Sequence, residues 1–137
     1  MAHVQPEASV VQIGLGIRYI GQHCYAFSGA FASSTSEQTL FNFTTGTGYI
    51  VATLTMTSPI RMAAIVQGVT RGYQIDFNNQ TVGLYKVQSL DEDMPSDTEA
   101  QILIPPFTAV ILTCIDNTDD ADYLGTANIT GRVYGAE

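Results

Sequence analysis

The segment "YIVATLTMT", residues 49–57, alternates without a slip. Ile50, Ala52, Leu54 and Met56 fall on one side, and Val51, Thr53, Thr55 and Thr57 on the other. A period of two places apolar side chains on one face of a pleated strand, whereas a helix needs a period near 3.6. The threonines agree, because a branched Cβ fits a pleated surface. A strand of this kind is not stable alone. The rest of the chain has to supply partners for it.

It does so repeatedly. Tyr73, Ile75 and Phe77 alternate up to Asn78-Asn79, and alternation resumes through Val82, Leu84 and Lys86 against Gly83, Tyr85 and Val87. Asn tolerates positive φ, so this reads as a tight hairpin. "FTAVILTCI" follows Pro105-Pro106 and is apolar on both sides: Phe107, Ala109, Ile111 and Ile115 on one, Val110, Leu112 and Cys114 on the other. The proline pair belongs at a sheet edge or corner. In "ANITGRVYG", residues 127–135, Ala127, Ile129, Gly131 and Val133 alternate with Asn128, Thr130, Arg132 and Tyr134. Ile129 and Val133 are its expected inward residues. "HCYAFSGAF" alternates as well, and Tyr25, Phe27 and Phe31 are expected to pack in the core. "MAAIVQGV", residues 62–69, is a further short apolar run.

Two acidic stretches, "SLDEDMPSDTEA" and "NTDDAD", read as solvated loops. In residues 1–20, Val10, Val11, Ile13, Leu15, Ile17 and Ile20 are apolar, but Gly14 and Gly16 within the segment, and Gly21 just after it, loosen it. It is expected to be a first strand or an arm that orders against a partner. Residues 21–137 are then one domain. About eight strands with turns at intervals of roughly ten residues predict an all-β antiparallel sandwich, jelly-roll-like in architecture.

Charge narrows the functions. Only 13% of the 137 residues are charged, against roughly 25% in ordinary soluble domains. Either polar uncharged residues cover the surface, or much of it is buried against other subunits. The formal net charge is −8, and the five basic residues Arg18, Arg61, Arg71, Lys86 and Arg132 are scattered singly. Nucleic-acid binding rests on clustered Lys and Arg, so neither nucleic acid nor an anionic membrane is an expected partner. No apolar run approaches the roughly 20 residues that span a bilayer. The N-terminus carries no signal-peptide pattern.

No catalytic set emerges. His23 and Cys24 are neighbours, but strand neighbours point to opposite faces. His3 and His23 have no ligand spacing between them and there is no C-x-x-C, so no zinc site is expected. The acidic loops lack the EF-hand pattern. No Walker A, G-x-S-x-G or H-E-x-x-H motif occurs. Neither enzyme activity, metal nor cofactor is expected. Cys114 reads as a small buried hydrophobe, and a Cys24–Cys114 disulfide is not favoured without a secretion signal. Arg132 and Tyr134 share the polar face of the last strand, and both residue types are enriched at interface hot spots. With Val110 and Leu112 on the doubly apolar strand, they are the candidate subunit interface.

The stretch "ILIPPFTAVILTCIDNTDDADYLGTANITGRVYG" resembles the small β-sandwich proteins of tailed-bacteriophage virions, the capsid decoration or cement proteins. The resembling elements are a proline-bounded strand, a polar loop and a final strand ending in "TGRVYG". The resemblance covers the last third of the chain. It implies a jelly-roll-like fold, a homo-oligomer such as a trimer, and attachment to assembled major capsid protein on the virion surface after synthesis in the host cytoplasm. It also implies an N-terminal capsid contact, here Val10, Val11, Ile13, Leu15, Ile17 and Ile20. The alternative expectation is a host-binding head domain of a tail fibre or spike, or a lectin-like carbohydrate-binding module.

Overall fold

A computed structural model describes residues 16–58, 60–61, 70–88, 97–117 and 120–135. The candidate contacts Val10, Val11, Ile13 and Leu15 lie outside the described residues. So do the apolar run 62–69 and the centres of both acidic stretches.

Eight long strands carry the architecture: β2 (His23–Phe27), β4 (Gln38–Thr44), β5 (Tyr49–Thr57), β7 (Thr70–Phe77), β8 (Gln80–Gln88), β9 (Asp97–Ile104), β10 (Ala109–Asp116) and β12 (Ala127–Tyr134). Four accessory strands join them: β1 (Arg18–Ile20), β3 (Phe31–Ser33), β6 (Ile60–Arg61) and β11 (Asp120–Gly125). Among the described residues there is no helix. Pairing is antiparallel throughout and gives sheets in the orders β1-β2-β12-β5-β9, β4-β10-β7-β8 and β3-β11-β6.

The eight long strands pair first with last and so inward: β2 with β12, β4 with β10, β5 with β9, and β7 with β8. A long hairpin rolled into two facing sheets gives this order, which is the jelly roll. The contacts β12·β5 and β10·β7 close the roll. The five-stranded and four-stranded sheets face each other across one core. Ile50, Leu54, Met56, Ile104 and Ile129 fill it from one side, and Phe41, Phe43, Ile75, Val110 and Leu112 from the other.

Local chemistry fixes the register. Asn78 and Asn79 both take positive φ, 52° and 67°, in the two-residue turn between β7 and β8. This twist matches that of the flanking strands. A bulge in β4 lets the successive residues Leu40 and Phe41 both turn inward, at the cost of one unpaired position. A second bulge at Val82 in β8 leaves that side chain exposed.

Several expectations are corrected. Val110 and Leu112 are completely buried in the core, so they offer no surface to another subunit. Val110, Leu112 and Cys114 take the inward face of β10, while Ala109, Ile111 and Thr113 on its outward face are half-buried and Ile115 is exposed. Ile17 is also fully buried and Arg18–Ile20 pairs with β2. The boundary at 20/21 therefore lands in the β1–β2 turn, and residues 17–20 belong to the sandwich. Tyr25 and Phe27 point outward, because Cys24 and Ala26 take the inward positions of β2. Gly29, with φ 71°, interrupts the alternation before Phe31, which does pack on the core. Asp97–Ala100 and Asp120–Asp122, read as loop, are strand.

Gly131 marks a close approach of backbone to backbone inside the roll. It lies between Ala52 and Cys24 in register. A Cβ there would meet the Val51 carbonyl oxygen and lie 2.8 Å from the Ala52 Cα. Those backbone atoms belong to a central strand and have no room to yield. Gly131→Val is expected to cost about 3 kcal/mol by overpacking, read from the urea midpoint.

Candidate functional site, a charge-balanced sheet face

The outer face of the five-stranded sheet assembles residues from five separate strands. One row crosses it completely: Ile20, His23, Arg132, Val51 and Leu103 are successive cross-strand partners. At about 4.8 Å per strand the row spans roughly 19 Å. The next row is Arg18, Tyr25, Thr130, Thr53 and Gln101, and beyond it run Phe27, Asn128, Thr55 and Glu99. On the other side of the first row Tyr134 pairs with Tyr49, their rings stacked at 5.5 Å.

This face holds Ile20, Phe27, Tyr49, Val51, Leu103 and Tyr134, six of the ten exposed large hydrophobic residues described. Ile20 is 66% exposed and Leu103 56%. Single exposed hydrophobes are ordinary, but a gathering of most of them on one sheet face is what a contact surface shows. Its central arginine is held in place. The Arg132 guanidinium donates to Gln22 Oε1 at 2.7 Å and lies 5.6 Å from the Tyr134 ring centroid. Tyr25 and Phe27 sit with rings 5.2 Å apart. The two arginines Arg18 and Arg132 are offset by Asp97 and Glu99 of β9. In a chain of net charge −8, the charges of this face sum to zero among the described residues. It can approach another protein without the repulsion the rest of the chain carries.

Of the sequence candidates, the structure brings Ile20, Arg132 and Tyr134 onto this one face. Val110, Leu112 and Ile17 are in the core instead. Tyr49, Val51 and Leu103 were not singled out from sequence. Their signal was present as apolar residues on the outer side of an otherwise polar strand face, but only pairing shows that they adjoin.

The four-stranded sheet has a different outer feature. Gly72 lies between Ile115 and Lys86, and Gln74 between Thr113 and Leu84. The missing side chain at Gly72 opens a groove of about 310 Å³, with Glu37 at its lip.

A second set of buried groups ties the accessory sheet to the sandwich. Arg71 donates through Nε to Asp116 Oδ1 at 2.5 Å and through Nη2 to Oδ2 at 2.7 Å, both side chains fully buried. Asp116 Oδ2 also accepts from the Ser34 backbone N–H. The guanidinium stacks 4.2 Å from the Phe31 ring centroid, and Gly125 leaves it room, since a Cβ there would run into Nη1.

Both thiols are free and buried. Burial pushes Cys24 up to about 11 and Cys114 up to about 12. The Tyr73 phenol, which donates to the Thr57 carbonyl at 2.7 Å, rises to about 12 through burial, against the pull of Arg71. All three hold their protons more tightly folded than unfolded. Their contribution is therefore complete below the ordinary thiol value near 9.0 and is lost as pH rises toward 11–12. The melting temperature is expected to fall progressively above pH 9.0, and both thiols to resist alkylation at about pH 8 until the chain is denatured.

Among the described residues no group of three or more His, Cys, Asp or Glu side chains is placed to hold a metal ion. No described helix is long and apolar enough to cross a membrane. No protein-family model matches the chain, and no curated protein sequence matches it significantly.

Proposed function

We propose that this protein is a structural protein of a phage virion that decorates and stabilises the capsid by binding the assembled major capsid protein. The outer face of the five-stranded sheet is its attachment surface. One observation carries the reading: most of the described exposed large hydrophobic residues gather on this one face, whose described charges balance, in an otherwise acidic chain. Arg132, Tyr134 and Tyr49 are the anchors, because Arg and Tyr dominate hot spots and these three are already held in place. The protein acts by area and repetition. Many modest contacts across a lattice raise avidity without any contact being strong.

Copy number tests this reading. Quantified by mass spectrometry of purified particles, the protein is expected in many copies at a fixed ratio to the major capsid protein. A few copies confined to the tail would favour the fibre or spike reading and contradict this one.

A further inference from the structure

A second contact device lies away from the attachment face, and it stands whether or not the capsid reading holds. Phe107 is 68% exposed and has φ 53°. That region suits glycine, and a bulky side chain is held there only when its surroundings over-determine it. They do so here. The Phe107 N–H donates to the Gly46 carbonyl at 2.9 Å. Thr45 Oγ1 donates to the Pro105 carbonyl at 2.7 Å and accepts from the Thr108 N–H at 2.8 Å. Asn78 Oδ1 accepts from the Ala109 N–H at 2.9 Å. Two prolines precede the ring. A strained backbone is thus fixed so that an aromatic side chain projects into solvent.

The Gly72 groove is the matching hole. Its volume is about 310 Å³, open to solvent on one side, which leaves room for one aromatic ring. Leu84 and Ile115 form its apolar walls, and Glu37 and Lys86 at its lips offset each other. Residues 105–108 carry no charge. Knob and hole are therefore places where two copies of net charge −8 approach without strong repulsion. A copy cannot fill its own groove. Phe107 precedes β10 and Ile115 is near its far end, roughly 25 Å along the strand.

We propose that Phe107 of one copy inserts into the Gly72 groove of the next. The contact joins two different surfaces, so it generates a ring if the rotation closes and an open chain if it does not.

Sedimentation velocity of the full chain over a concentration series tests this. The wild type is expected to gain mass with concentration. Phe107→Gly relieves the φ strain and should raise Tm, yet sediment as a monomer throughout. Gly72→Leu should fold, since a Cβ there meets only Ile115, at 3.9 Å, and it too should remain monomeric. Mixed, the two variants should form one-to-one dimers and nothing larger, because one keeps the hole and the other the knob. A wild type that is monomeric at every concentration would overturn the proposal. So would association that both variants retain, or a mixture that stays monomeric, including the case where the variants instead lose binding to some other protein.

Discussion

Asp116→Ala is expected to destabilise the fold by about 3–5 kcal/mol, because it strands a charged guanidinium in the core. Arg71 and Asp116 are both fully buried and joined by two charge-assisted bonds. Arg71 Nη1 already lacks a hydrogen-bond partner among the described residues, and without Asp116 the guanidinium is left with the long contact from Nη2 to Ser33 Oγ at 3.5 Å, which carries no balancing charge. Small domains have only about 5–15 kcal/mol of stability in total. The melting temperature should therefore drop by roughly 10–20 °C. The paired substitution Arg71→Met with Asp116→Leu removes both charges together and should recover most of the loss, as apolar replacements of buried ion pairs often do. Differential scanning calorimetry of the single and double variants checks both. A single variant within about 1 kcal/mol of the wild type would show that the pair is not buried as described.

Val51→Asp is expected to weaken particle attachment by about 100-fold or more while leaving stability within about 0.5 kcal/mol. Val51 sits mid-row on the five-stranded face, between Arg132 and Leu103, and is exposed in the free protein. An aspartate there stays hydrated until a partner covers it, and only then is its desolvation cost incurred. Val82→Asp is the control. Val82 is exposed to a similar degree, but it lies on the β8 bulge of the other sheet. It should leave attachment unchanged. Equal losses in both variants would mean that general charge, not this face, governs binding.

How far these features were legible from sequence follows from how local they are. The inward residues of β5 and β12 and the Asn78-Asn79 hairpin were readable because alternation and turn chemistry act over a few residues. Ile129 and Val133 are buried as their spacing implied. The outward turn of Tyr25 and Phe27 was not readable. Alternation shows that two sets of side chains oppose each other, but not which set faces the core. In β2 the smaller residues Cys24 and Ala26 won the interior, in a part of the roll where Gly131 and Ala52 also bring the backbones close. The start of β9 was hidden because its acidic residues Asp97 and Glu99 lie on a solvent face. The Arg71–Asp116 pair joins residues 45 apart in sequence, and no local pattern announces it. The attachment face is the extreme case, since its residues come from five strands that only the roll places side by side.

Co-sedimentation with particles that lack this protein tests the central claim most directly. Purified wild-type protein should bind saturably, at a fixed ratio to the major capsid protein. Val51→Asp should remain in the supernatant and Val82→Asp should pellet like the wild type. A wild-type protein that fails to pellet with the particles, or that binds only cells or glycans, would contradict the account.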